Sequence, residues 1–161
     1  MDINNPELSF EIVYKDLDII CIEVKTSNGR FAGTTSFYCN SSGDELEKLG
    51  KGLMGFPKNL QEEYFQEFGV ANPKTEETKV VYSELVDAYS YVGLNFHCVD
   101  KLGHTAVHIV LIEEHRPNLK EARGKVTFEL QFYPAALDNF IQEIMLMSKT
   151  LEGKAELIGN I

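Results

Sequence analysis

Apolar and polar residues alternate along most of this chain with a period of two, which is typical of half-buried strands. In one such segment, Ile20, Ile22 and Val24 fall on a single face. The pattern predicts strands at 9–14, 18–26, 30–38, 89–99, 105–113, 125–133 and 154–159. Gly33 interrupts the third segment and predicts a bulge or a close backbone approach there. Strands with one apolar and one polar face are typical of antiparallel sheets.

Two other segments have helical spacing. In the first, Leu46, Leu49 and Leu53 lie at i, i+3 and i+7 on one face. The sequence Ser42-Gly43-Asp44-Glu45 before them matches a capping box, in which the Ser and Glu side chains satisfy backbone N–H groups. The second helix begins at Pro134, which suits a first helical turn. Its apolar stripe consists of Leu137, Phe140, Ile141, Ile144, Met147 and Leu151.

The order of these elements predicts an α+β fold: a largely antiparallel β-sheet with a long C-terminal helix and a short helix packed on its apolar face. No repeat or composition break divides the chain, so we expect a single globular domain over 1–161. Residues 58–79 leave two alternatives open, a short helix capped by Asn59 or a strand through 62–68. The polar stretch 70–79 is predicted to be a mobile excursion.

The net charge of −10 narrows the choice of partners. No stripe rich in Lys and Arg interrupts it, so we expect no binding to nucleic acids or to anionic membranes. An acidic surface attracts basic proteins, although acidity also serves merely to keep a protein soluble. The chain has three cysteines without CxxC spacing, no signal peptide pattern and no apolar run near the ~20 residues of a membrane helix. These features predict a cytoplasmic protein with reduced thiols.

Between residues 61 and 77, carboxylates alternate with aromatic residues. Aromatic anchors ringed by carboxylates suit a contact surface for a basic protein. The predicted partner-binding residues are Glu62, Glu63, Tyr64, Glu67, Glu76 and Glu77. The alternative is a solvated loop whose aromatic residues enter the core, and under both interpretations Phe65 and Phe68 are predicted to be core residues.

Three of the four histidines lie in 94–111, where two strands flank the turn Asp100–Gly103. A four-residue loop places Val99 opposite His104 and puts His97 and His108 diagonally on one face, ~7–8 Å apart at the backbone. Glu129 of the next strand would point the same way, and two imidazoles with a carboxylate are ligands that zinc accepts. The spacing matches no compact metal motif, so the sequence favours polar residues on the wet side of a sheet. A metal or small-ligand site at His97/His108 stays the alternative.

Catalytic motifs are absent from the sequence. It contains no GxGxxG, Walker, GxSxG or EF-hand pattern. His97 and Cys98 are neighbours, but successive strand residues point to opposite faces, so they cannot pair directly. We therefore expect no enzymatic role and no cofactor.

Four short stretches resemble bacterial immunity proteins, the inhibitors that neutralise polymorphic or contact-dependent toxins. The likeness is to those paired with wall-associated-protein toxins and to related uncharacterised domains, and it covers roughly 9–158. The stretches are Ser27-Asn28-Gly29-Arg30-Phe31, Gly55-Phe56-Pro57, Asp100-Lys101-Leu102-Gly103-His104 and Phe132-Tyr133-Pro134-Ala135-Ala136-Leu137. The resemblance implies a non-catalytic binder that occludes the active site of a basic toxin, expected to be a nuclease. Monomer and homodimer both remain open.

Overall fold

The computed structural model describes residues 5–69, 90–113 and 124–160. In these ranges the chain forms eight strands and two helices. In chain order they are β1 (Glu7–Lys15), β2 (Ile19–Ser27), β3 (Ala32–Asn40), α1 (Asp44–Leu53), β4 (Tyr64–Phe68), β5 (Tyr91–Cys98), β6 (Thr105–Ile112), β7 (Lys125–Phe132), α2 (Pro134–Thr150) and β8 (Lys154–Ile158). All seven predicted strands are present, and β4 confirms the strand alternative for 62–68. The excursion predicted at 70–79 lies outside the described residues.

The strands form two antiparallel sheets, where the sequence predicted one. Sheet A has the order β3-β2-β1-β8, and sheet B has the order β4-β5-β6-β7. The α+β class is confirmed, and the single sheet is wrong. Alternation shows which face of a strand is buried, but it carries no information about which strands share a sheet.

The two sheets meet where β3 crosses sheet B. A Cβ atom added at Gly33 would lie 2.0 Å from Cγ2 of Val126 in β7, so the close approach predicted at this glycine is confirmed. The Thr35 hydroxyl donates a hydrogen bond to the backbone oxygen of Ile112 over 3.0 Å. Because Gly33 has no side chain, the backbone of β3 can lie directly against the Val126 side chain.

One hydrophobic core joins both sheets and both helices. The rings of Phe37 (β3) and Phe68 (β4) stack with centroids 4.8 Å apart. Phe10 of β1 contacts Phe68 at 5.6 Å and Phe140 of α2 at 6.0 Å, each edge to face. Such aromatic contacts add about 0.5–1.5 kcal/mol each beyond the burial of area. The core therefore depends on side chains from strands far apart in the sequence.

Helix α1 buries the predicted leucine stripe, since Leu46, Leu49 and Leu53 have no exposed surface. It packs against α2, where Gly50 approaches Met145 so closely that an added Cβ would lie 2.4 Å from the sulfur. Helix α2 also packs on β8. Neither of the two described helices is long and apolar enough to cross a membrane.

The start of α1 differs from the predicted capping box. The residue that caps the helix is Gly43, at φ 76°, which has no side chain to cap it, and the Ser42 hydroxyl accepts from the Asp44 N–H over 3.2 Å. Glu45 is therefore the second residue of the helix and cannot reach back to its start. Its half-buried carboxylate instead lies beside Cys39, and burial raises the pKa of that carboxyl. Burial and, to a smaller extent, the neighbouring Glu45 carboxylate raise the pKa of the Cys39 thiol to about 12. This cysteine therefore stays an inert core residue.

Candidate functional site

Strand β4 lies at an edge of sheet B and divides the acidic segment between two faces. Gln66 and Phe68 point into the protein and are 5% and 1% exposed. Phe65 and Glu67 alternate with them and point away from the core. Phe68 is a core residue, as predicted, whereas the same prediction for Phe65 is wrong because 56% of this residue is exposed.

Tyr64 lies on the inner side of β4 and is half-buried. Its hydroxyl donates to Gln66 Oε1 over 2.6 Å and lies 3.1 Å from the backbone oxygen of Lys48 in α1. The ring also fills the space above Gly52, where an added Cβ would lie 2.1 Å from it. Burial raises the pKa of the Tyr64 phenol. Tyr64 thus connects β4 to α1, and little of it faces outward.

The glutamates around β4 occupy different positions. Glu62 Oε2 accepts a hydrogen bond from the backbone N–H of Lys58 over 2.5 Å, so this carboxylate shapes the loop before the strand. Glu63 is exposed immediately before β4. Glu67 Oε1 lies 3.4 Å from the Tyr91 hydroxyl on the outer side of the sheet. Glu76 and Glu77, the other predicted binding residues, lie outside the described part of the chain.

A row of side chains continues from Phe65 across the outer face of sheet B. The pairing places Phe65 opposite Asn95, Asn95 opposite His108, and His108 opposite Glu129. We use "outer face of sheet B" for Phe65, Asn95, His97, His108 and Glu129. Asn95 Oδ1 is buried and has no hydrogen-bond partner among the described residues. A buried acceptor without a donor is costly, at about 1–3 kcal/mol.

The histidines take the predicted positions on this face. His97 pairs with Ala106 and His108 with Asn95, as the loop length required. His97 Nε2 lies 2.5 Å from Glu129 Oε1, and the two side chains meet above the small, fully buried Ala106. Within the described ranges, no three His, Cys, Asp or Glu side chains converge closely enough to hold a metal ion. The geometry supports a hydrogen-bonded pair rather than a set of metal ligands.

The turn that joins β5 and β6 is built around Asp100. The backbone N–H of Val99 donates to the oxygen of His104 over 2.8 Å, which confirms the predicted hairpin. Asp100 Oδ1 accepts from the backbone N–H groups of Leu102 and His104, and Oδ2 lies 2.5 Å from His104 Nδ1. The hydrogen bond with the His104 side chain is the main cause that holds the pKa of Asp100 below its usual value, and the hydrogen bonds with the backbone lower it further. Asp100 and His104 are turn residues.

Sequence reasoning missed Phe65 and Asn95 as candidate contact residues. The signal for Phe65 was available, because in a strand it shares its face with Glu63 and Glu67. Asn95 carries no comparable signal, since its importance comes from the buried oxygen that the neighbouring strands leave unpaired.

No family model, curated protein or solved structure matches this chain. The resemblance to immunity proteins therefore stays a prediction. What the structure adds is an exposed aromatic residue, an unpaired acceptor and several carboxylates on one side of sheet B.

Proposed function

We propose that this chain is a non-catalytic binding protein that neutralises a basic protein toxin through the outer face of sheet B. The observation that carries the proposal is Phe65, which is 56% exposed between Glu63 and Glu67 on an edge strand. An aromatic side chain flanked by carboxylates combines the two kinds of contact that bind a basic surface.

Phe65 supplies the apolar anchor. Exposed aromatic residues near the centre of an interface carry a large share of the binding energy once a partner excludes water from them. Asn95 lies directly opposite Phe65 on the next strand, and the carboxylates of Glu63 and Glu67 flank Phe65 in the sequence and offer acceptors to a partner. Lys and Arg side chains carry only donors, so they are the matching groups on a basic protein.

The carboxylates supply the electrostatic part. Glu63 and Glu67 belong to a chain with a net charge of −10, and such a field accelerates encounter with a positively charged partner. A nuclease needs a basic active site to hold phosphates, so an acidic protein can occlude that site without chemistry of its own. In this proposal the helices support the sheets from their apolar side, and the exposed Phe65 makes the central contact with the toxin.

We do not extend the proposal to a metal or small-ligand site at His97 and His108. His97 pairs with Glu129, and the described residues supply no third ligand beside them.

The test begins with a tagged copy expressed in the native host and purified at low salt and then at high salt. We expect a small basic protein to co-purify stoichiometrically at low salt and to inhibit growth when it is expressed alone. Coexpression of the tagged chain should restore growth. If no such toxic protein is captured, the proposed function is wrong.

Matched variants then test the surface. We expect Phe65→Ala to weaken binding about tenfold or more, as truncation of an anchor does. Phe31→Ala is the control, because Phe31 is 68% exposed at the turn before β3 and lies outside this surface. Glu63→Gln should chiefly slow association and reduce its salt dependence. If Phe65→Ala and Phe31→Ala bind the captured toxin equally well, the contact surface lies elsewhere.

A further inference from the structure

Strand β8 has one paired edge and one free edge within the described part of the chain, since it ends sheet A beside β1. The N–H of Gly159 donates to Pro6, and the oxygen of Gly153 accepts from Ile12. In an antiparallel sheet, the backbone N–H and oxygen of successive residues point alternately to the two sides of the strand. The odd-numbered residues of β8 therefore direct these groups to β1, and the even-numbered residues direct them to the other edge. Two hydrogen bonds on the other edge agree with this assignment. The Glu156 N–H donates to the Glu143 side chain, and the Asn160 N–H donates to the backbone oxygen of Gln131 in sheet B.

A groove of about 640 Å³ runs along this free edge. We call it the β8 groove. One wall is formed by residues at the start and along one side of α2. The other wall is formed by the edge of β8 that faces away from β1 and by the two residues after this strand. It is lined by Tyr133, Ala135, Ala136, Asn139, Glu143, Glu156, Ile158, Gly159 and Asn160. Tyr133 and Ile158 are 66% and 48% exposed, so the groove offers apolar contacts beside the outward-facing backbone of Ile158.

The charges around the groove are mainly negative. Glu143 and Glu156 line it, and none of the described Lys or Arg residues does. Lys154, at the start of β8, contacts Glu156 over 2.9 Å. Its pKa is raised by Glu156 and, more weakly, by other glutamates on the same side of sheet A. Lys154 therefore offsets one of these two negative charges, and the negative charge that remains at the edge favours a cationic ligand.

We propose that the β8 groove binds an extended basic segment of a partner protein, which adds to sheet A as a fifth strand. The backbone N–H and oxygen of Ile158 face outward and would pair with the segment, as peptides pair with sheet edges in other recognition domains. Alternate side chains of the segment would contact Tyr133 and Ile158, and its Lys or Arg residues would reach Glu143 and Glu156. This surface is separate from the outer face of sheet B, so the inference does not rest on the proposed function.

Glu143 sets the specificity of this site. Its carboxylate already accepts the Glu156 N–H over 3.1 Å, so it blocks one position of the edge against indiscriminate pairing. A segment with a basic residue at that position gains an ion pair with Glu143, whereas an acidic one meets two carboxylates. Strand addition here should therefore depend on the charge of the peptide.

The test uses three fluorescein-labelled peptides and measures anisotropy at low and high salt. The first is Lys-Val-Arg-Val-Lys-Val, the second replaces its basic residues with Glu, and the third is the basic peptide with N-methyl groups on alternate residues. We expect the purified chain to bind the basic peptide and not the acidic one. N-methylation should weaken binding at least tenfold, because it removes the donors that pair with the edge. Equal binding of the methylated peptide, or no binding of the basic one at millimolar concentration, would overturn the proposal.

Matched substitutions locate the site. Ala135→Trp fills the groove, whereas Leu146→Trp places the same residue on another exposed position of α2, since Leu146 is 62% exposed and does not line the groove. We expect at least a tenfold loss of peptide binding for Ala135→Trp alone. Glu143→Gln keeps the oxygen that accepts the Glu156 N–H and should weaken binding severalfold. Circular dichroism and thermal unfolding verify that each variant folds, and equal binding by both Trp variants would place the peptide elsewhere.

Discussion

At the scale of single residues, Gly33 fixes how closely the two sheets approach. The 2.0 Å between an added Cβ and Val126 Cγ2 is far below any contact distance, so Gly33→Ala must displace either the Val126 side chain or β3 itself. We expect this substitution to lower the free energy of unfolding by about 1–3 kcal/mol, the usual cost of an overpacked site. Urea unfolding of the two proteins measures the difference.

A second substitution checks the cause. Val126→Ala removes the methyl groups that collide. The Gly33→Ala/Val126→Ala double variant should therefore lose less unfolding free energy than the sum of the losses in the two single variants. Thr34→Ala, at the exposed neighbour of Gly33, is the control and should stay within about 0.5 kcal/mol of the wild type. Additive effects of Gly33→Ala and Val126→Ala would show that the collision is not the cause.

At the scale of elements, the β5–β6 hairpin depends on the charge of Asp100. Hydrogen bonds lower the pKa of this carboxyl in the folded state below its ordinary value of 3.8. The unfolded chain therefore binds more protons in acid, and the stabilisation by Asp100 is complete above that ordinary value. It is lost as the pH falls through the lower folded pKa.

Asp100→Asn separates charge from shape, because the amide oxygen still accepts from the backbone N–H groups of the turn. We expect the wild type to be more stable than this variant at neutral pH and equally stable in strong acid, as measured by urea midpoints across the acidic range. Asp100→Ala, which lacks the acceptor as well, should be less stable than Asp100→Asn at every pH. A constant gap between wild type and Asp100→Asn would show that the charge plays no part.

The elements themselves follow closely from local patterns. Seven strands were predicted by alternation, the β5–β6 register followed from the length of its turn, and the buried stripe of α1 followed from leucine spacing. The capping box was wrong because the left-handed Gly43, which no spacing reveals, shifted the helix start. The division into two sheets was missed because strand partners depend on the tertiary fold. For the candidate site, Glu63 and Glu67 were predicted, whereas Phe65 was missed although strand alternation places it on the same face as these two glutamates.

At the scale of the whole molecule, Phe68 connects the sheets through its contacts with Phe37 and Phe10. We expect Phe68→Ala to lower the free energy of unfolding by about 3–5 kcal/mol, the usual range when a buried Phe is truncated to Ala. Because both sheets share this core, they should unfold in one transition, and amide hydrogen exchange should show faster opening in sheet A and sheet B alike.

Phe65→Ala is the matched control on the same strand. Phe65 is three positions away and mostly exposed, so its loss should change stability by no more than about 0.5 kcal/mol. If Phe68→Ala speeds exchange in sheet B only, the two sheets are separate cooperative units.

The pairing of β1 with β8 has a consequence for the order in which the protein folds. Strand β1 leaves the ribosome before the other described strands, yet its second neighbour is made more than 130 residues later. During synthesis, β1, β2 and β3 can form a meander through short turns, but one side of β1 then offers unpaired backbone to any other nascent chain. Pairings so distant along the chain also slow folding. Completion of sheet A is therefore a late event, and the period before it is when this protein is most exposed to misassembly.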